Sequence, residues 1–261
     1  MNRNAPIGIF DSGMGGLSVW HEVRKLLPHE SVIYLADGKN CPYGERSKEE
    51  IATLTRRAVV DLMARGVKLV VVACNTATAV AIESLREEFD IPFVGMEPAV
   101  KPAALATKSG TIGILATRAS LGGELFKATS ARYASDVRIL SVVGEGFVET
   151  VEQGREQEPE TVEMVRRVVE PLLAEGADHI VLGCTHYPFL ESALREVVGE
   201  RDVRLVNPAP AVARRVEWLL DQKGLRADDG HKAEYSFVTF GGEEYLAHIT
   251  GKAMQLAQSE E

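Results

Sequence analysis

Apolar positions recur along this chain in two alternating patterns. Short runs rich in Val, Ile and Leu occur at 7–10, 31–35, 68–73, 92–95, 111–115, 137–142, 179–183, 203–206 and 235–240. They read as strands buried on both faces. Between most of them lie segments with apolar residues at helical spacing, among them 17–27, 49–65 and 161–175. A strand–helix rhythm of this kind predicts an α/β fold with doubly wound, mainly parallel sheets. The polar tail, 255–261, is expected to fray.

The pattern repeats. Residues 56–74 laid over 166–184 without a gap match Arg56 with Arg166, Val59 with Val169, Leu62 with Leu172, Gly66 with Gly176, Val71 with Val181 and Cys74 with Cys184. A weaker echo pairs Ile7-Gly8-Ile9 with Ile112-Gly113-Ile114; Asp11-Ser12 follows one and Ala116-Thr117 the other. Two similar domains related by a pseudo-twofold axis account for this better than a chance likeness of strand–helix units. In open α/β sheets ligands sit beyond the carboxyl ends of the strands. Asp11, Asp37, Cys74 and Cys184 all follow predicted strands, so the expected active site is a cleft between the domains.

Composition narrows the function. With 261 residues, 45% apolar and 26% charged, the chain suits one large α/β domain or two smaller ones. A formal charge of −9 argues against nucleic-acid binding, which needs a positive surface. No apolar run approaches the ~20 residues of a membrane span, and the segment before strand 7–10 has no secretory pattern. Three cysteines offer no disulfide framework and suit a reducing compartment, so a cytoplasmic location is expected.

Cys74 and Cys184 are the main chemical candidates. Each ends a buried strand and precedes an expected helix start, Asn75-Thr76 in one copy and Thr185-His186-Tyr187-Pro188 in the other. A helix N-terminus favours the thiolate. Two thiols of matched reactivity suit inversion at a carbon, one removing a proton from one face and the other returning one opposite. Asp11-Ser12-Gly13-Met14-Gly15-Gly16 forms a glycine-rich turn in which a carboxylate, a hydroxyl and backbone N–H groups can orient a thiol or hold a substrate. A dinucleotide loop fits it less well: Ser18 stands where the third glycine belongs, although Asp37 is spaced like a ribose-binding acid. Zinc is disfavoured because Cys41, Cys74, Cys184 and His186 lack paired-ligand spacing. No Lys stands at an obvious strand end for pyridoxal phosphate. Cys41 has no repeat partner and reads as incidental. His186 reads as an acid/base or hydrogen-bond partner of Cys184.

These segments resemble the glutamate racemases of the aspartate/glutamate racemase superfamily. The likeness is carried by Asp11-Ser12-Gly13-Met14-Gly15-Gly16-Leu17-Ser18, Pro42-Tyr43-Gly44, Ala73-Cys74-Asn75-Thr76-Ala77 and Gly183-Cys184-Thr185-His186-Tyr187-Pro188, in the family's order and spacing. It implies cofactor-independent interconversion of L- and D-glutamate, supplying D-glutamate for peptidoglycan. It further implies that Cys74 and Cys184 donate and accept the proton, helped by Asp11 on one side and by His186 with Glu152 on the other. Substrate contacts are implied for Asp11, Ser12, Tyr43, Gly44, Asn75, Thr76, Thr185 and His186, with no metal and a homodimeric state. The expected domains are 1–97 with 208–261, and 98–207. Two departures stand out: Ala36-Asp37-Gly38 replaces the family's usual Gly-Asp-Thr, and no Cys-Pro precedes Phe147. Alternatives are a racemase of aspartate or a hydantoin, a decarboxylase of the same superfamily, and a non-catalytic binding protein for an acidic amino acid.

Overall fold

The structure, a computed structural model, describes residues 2–97, 99–133 and 135–258. The chain divides into two compact units, Met1–Met96 with Ala209–Glu261, and Glu97–Pro208. Pro98, the expected start of the second domain, lies outside the described residues.

The first unit runs β1 (Ile7–Asp11), α1 (Leu17–Leu26), β2 (Val32–Ala36), α2 (Lys48–Ala64), β3 (Leu69–Val72), α3 (Asn75–Glu88) and β4 (Phe93–Gly95). The second runs α4 (Val100–Ala106), β5 (Thr111–Ala116), α5 (Arg118–Gly122), α6 (Glu124–Tyr133), β6 (Arg138–Val143), α7 (Phe147–Glu152), α8 (Pro159–Ala174), β7 (His179–Gly183), α9 (Glu191–Val198) and β8 (Arg204–Val206). The chain then returns to the first unit as α10 (Ala209–Lys223), β9 (Tyr235–Thr239) and α11 (Glu243–Gln258). Each of these nine strands starts and ends within one residue of its expected bounds. The expected frayed tail is corrected in part: residues 255–258 continue α11, and 259–261 lie outside the described residues.

The strand orders are β4-β3-β1-β2-β9 and β6-β5-β7-β8, and every pairing between these neighbours is parallel. In the first unit the chain leaves β1 for β2 on one side, then crosses back to place β3 on the other. Right-handed crossovers therefore put α1 on one face and α2 with α3 on the opposite face. The packing agrees: α1 contacts α10 and α11, and α2 contacts α3. The second unit repeats this course, with β5 and β7 in the places of β1 and β3. Both sheets thus reverse direction between two central strands, where an open α/β sheet forms its ligand crevice.

Local chemistry explains the elements. Ser47 caps α2 by accepting from Glu50 N at 3.2 Å, and Glu50 Oε2 accepts from Ser47 N at 3.1 Å. Phe10, Leu35, Val70 and Val72 from the first sheet bury themselves against Ile51, Val59 and Leu62 of α2 and Ala77, Ala81 and Leu85 of α3. Ile112, Ile114 and Val181 pack in the second unit with Val100, Ala103 and Phe126. The repeat extends to the helix ends, because Gly66 and Gly176 adopt φ of 78° and 84° just past α2 and α8. Only glycine takes that left-handed turn without a steric cost. Among the described residues no helix is long and apolar enough to cross a membrane.

Candidate active site

The crevice positions of the first unit carry Asp11, at the end of β1, and Cys74, just past β3. Both are buried, Asp11 fully. Asp11 Oδ2 accepts from Gly13 N at 3.0 Å, which folds the turn back over the strand end. Tyr34 donates its hydroxyl to Gly13 O at 2.7 Å and fixes the turn from β2. Cys74 is the N-cap of α3: its Sγ accepts from Ala77 N at 3.4 Å and donates to Ser12 Oγ at 3.6 Å. The thiol therefore meets a helix N-terminus, whose partial positive charge favours the thiolate.

Two more features surround Cys74. Asn75 and Thr76 begin α3 and are buried. The Asn75 amide has neither its nitrogen nor its oxygen hydrogen-bonded, although both atoms are shielded from solvent. Leaving a buried amide unpaired costs ~1–3 kcal/mol, so a donor and an acceptor stand ready for a ligand. Tyr43 opens a short 3-10 turn, Tyr43–Glu45, that also carries Gly44. Its hydroxyl donates to Asp37 Oδ2 at 2.8 Å, and Asn40 Nδ2 holds both Asp37 oxygens at 3.0 Å. Burial first, then the Asp37 carboxylate, push the Tyr43 phenol far above its ordinary range, with Cys74 and Asp11 adding to the rise. Tyr43 is a fixed neutral donor. Asp37, expected near the site from its place after β2 and weighed as a ribose ligand, is the acceptor that holds it.

In the second unit Cys184 follows β7 and is buried. Its Sγ lies 3.7 Å from His186 Nδ1, and His186 Nε2 lies 2.6 Å from Glu152 Oε1. Thiol, imidazole and carboxylate thus form a relay in which the carboxylate fixes the ring and favours a proton on Nε2. Glu152 comes from the last turn of α7, a segment whose helix the sequence did not announce. The expected helix start after Cys184 is corrected: a 3-10 turn, Tyr187–Leu190, comes first, and α9 begins only at Glu191. Pro188 and its neighbours close that tight turn, so the α-helix dipole acts on Cys74 and not directly on Cys184. Thr185 is buried beside the thiol in sequence. Tyr187 is fully buried, and burial, then the nearby Cys184 charge, raise its phenol well above the usual range.

Each unit therefore presents a buried thiol at the same topological position, in different surroundings. Asp11, Ser12, Tyr43, Gly44, Cys74, Asn75 and Thr76 lie in the first unit, and Glu152, Cys184, Thr185 and His186 in the second. Gly183 shapes the second position. A Cβ built there falls 2.7 Å from Leu115 O and 3.0 Å from the Ala116 Cβ on β5. Since backbone cannot yield as a side chain tip can, Gly183→Ala is expected to cost ~1–3 kcal/mol and to displace Cys184. Thermal melting together with initial rates checks this; an unchanged melting point and rate would contradict it.

The chain matches known proteins along most of its length. The family model for Asp/Glu/Hydantoin racemase matches residues 18–216. A glutamate racemase from Herpetosiphon aurantiacus is 49% identical over 247 residues, which covers 95% of this chain and 97% of that protein. The crystal structure of glutamate racemase isoform RacE1 from Bacillus anthracis superposes with a TM-score of 0.86 at 32% identity, covering 97% of this chain and 95% of the other. Escherichia coli glutamate racemase, crystallised with L-glutamate bound, gives 0.84 at 36% identity and 95% of both chains. The chain belongs to the Asp/Glu/hydantoin racemase family, among its glutamate racemases.

Proposed function

We propose that the chain interconverts L- and D-glutamate with no cofactor, by two thiols that act on opposite faces of the α-carbon. The observation that carries this reading is a buried cysteine at the same switch-point position of each unit, each with acid/base or polar partners of its own. A binding protein needs no thiols. The glutamate preference leans on the relatives, of which the Escherichia coli enzyme holds L-glutamate.

The chemistry follows from the groups at hand. One cysteine, as thiolate, takes the α-proton and becomes a thiol. The electron pair left on carbon delocalises into the substrate carboxylate as an enediolate. The other cysteine, as thiol, delivers its proton to the opposite face and becomes a thiolate. The enzyme then carries the reverse protonation pattern, which is the starting state for the opposite enantiomer. Asp11 and Ser12 serve Cys74; His186, oriented by Glu152, serves Cys184. Asn75 offers its unpaired amide to the substrate, and the Ser12, Tyr43, Thr76 and Thr185 hydroxyls and the Gly44 backbone complete the polar lining. Burial of both thiols limits water, which strengthens the hydrogen bonds that stabilise the enediolate.

The same reading assigns the protein to the cytoplasm as a homodimer, supplying D-glutamate for peptidoglycan. Polarimetric assays on glutamate, aspartate and a hydantoin side by side test the substrate. Glutamate is expected to be inverted from both enantiomers without added cofactor; faster inversion of aspartate or the hydantoin would overturn the assignment.

A further inference from the structure

The turn from β9 into α11 reaches the loop that carries Tyr43. Ala36, at the end of β2, pairs in register with Thr239, at the end of β9. The Thr239 hydroxyl donates to Ala36 O at 2.8 Å and accepts from Gly241 N at 2.8 Å. Phe240 N also donates to Ala36 O, at 3.2 Å, and the Arg57 guanidinium lies 4.3 Å from the Phe240 ring. Gly242 then takes a φ of 89°, and α11 starts. The path of this turn is held from both sides, and it brings Tyr245, in the first turn of α11, onto Gly38.

Two glycines make room for that ring. A Cβ built on Gly38 falls 2.5 Å from Tyr245 Cδ1 and 2.6 Å from its Cζ, and one built on Gly241 falls 2.9 Å from Cδ1 and 3.0 Å from Cγ. Carbon atoms pack best at ~3.5–4.0 Å, so neither position admits a side chain while the ring is there. Gly38 does not have a left-handed φ. Its backbone would accept other residues, and it is the ring that calls for glycine. The threonine usual in the racemases at this place needs the volume that Tyr245 fills. A side chain from α11 thus stands in for one from the loop.

We propose that Tyr245 is a positioning residue for racemisation: its ring holds Gly38, and through it Asp37 and Tyr43, in the conformation that binds substrate. Asp37 N donates to Asp11 O at 3.0 Å, and the Asp37 carboxylate accepts from Asn40 Nδ2 and from the Tyr43 hydroxyl. Arg46 closes the loop, its Nε donating to Asn40 O at 2.7 Å. Gly38 sits between the Asp37 and Asn40 anchors, and glycine has the greatest backbone freedom of any residue. The ring packed on it removes that freedom where the loop would otherwise hinge. The proposal rests on the reading above, in which Tyr43 and Gly44 line the substrate site.

Steady-state racemisation of glutamate by the full chain, with thermal melting of the same proteins, tests the proposal. Tyr245→Ala is expected to raise KM about tenfold, the effect of losing one hydrogen bond to a charged substrate group. Its kcat should stay within about threefold of the parent's, since binding and not proton transfer is impaired. Gly38→Thr, which overlaps the ring, is expected to raise KM at least as much. Together the two changes exchange one volume for the other, and KM should return to within about threefold of the parent's. Tyr245→Leu, which also removes the ring, takes the place of Tyr245→Ala in the same comparison should the latter fail to fold. An unchanged KM in Tyr245→Ala with only the melting temperature lowered, or a KM in the double variant raised by the product of the single effects, would overturn the proposal. A parent chain that does not invert glutamate would instead overturn the reading beneath it.

Discussion

With Cys74 replaced by serine, racemisation from either enantiomer falls by about 10²–10⁴-fold, the usual contribution of a positioned acid/base group. Serine keeps the size of the buried side chain but cannot ionise near neutral pH. The variant should therefore fold normally and fail only at proton transfer. The failure has a direction. Cys184, with His186 Nδ1 at 3.7 Å and Glu152 behind it, remains able to remove the α-proton of the enantiomer presented to it. The Cys74→Ser protein should thus exchange solvent deuterium into one enantiomer of glutamate without inverting it, and Cys184→Ser into the other. Proton NMR of the α-position, run separately on pure L- and pure D-glutamate, reads this. Exchange of the same enantiomer by both variants, or retained inversion by either, would contradict the assignment of one thiol to each face.

Replacing Lys68 by methionine is expected to destabilise the protein by ~3–5 kcal/mol, because it strands a buried carboxylate. Lys68 Nζ lies 2.5 Å from Glu30 Oε2, and both side chains are almost wholly shielded from solvent. The same ammonium donates to the Arg3 carbonyl, and Glu30 Oε1 accepts from Ala227 N at 2.8 Å. One ion pair therefore ties the start of the chain, the entry to β2, the entry to β3 and the return segment after α10. Burial pulls the Lys68 amine below its ordinary range, and the Glu30 carboxylate works against that pull. At ~2–4 °C per kcal/mol, a loss of this size lowers the melting temperature by about 6–20 °C. The pair Lys68→Met with Glu30→Leu should recover most of it, since a matched apolar replacement leaves no unpaired charge. The ion pair stands at the amino end of the sheet, opposite the end that carries Cys74, so turnover at low temperature should stay close to the parent's. Melting of both variants checks the account; a double variant as unstable as Lys68→Met would contradict it.

The sheets were legible in the sequence because parallel strands are buried on both faces. Runs such as Leu69-Val70-Val71-Val72 have no polar position to confuse the period, and the paired Gly66 and Gly176 marked the helix ends before them. Short elements were less legible. α7 has six residues, too few for a helical period to emerge, and it is the element that aims Glu152 at His186. The 3-10 turn after Cys184 was hidden by Pro188, which suits the first turn of either helix type. Contacts between residues distant along the chain were out of reach altogether. The Cys74–Ser12 pair depends on sheet order, which places β1 beside β3. The unpaired state of the Asn75 amide could be seen only once its surroundings were built.

The two-thiol reading turns on Cys74 and Cys184 holding different protons at different faces, and isotope bookkeeping during turnover tests that most directly. In deuterium oxide, L-glutamate should yield D-glutamate fully deuterated at the α-carbon, with the remaining L-glutamate still protonated at early times. The thiol that takes the proton is then not the one that returns a deuteron. Deuterium entering the unreacted L-glutamate as fast as it enters the product would contradict two thiols and require a single base.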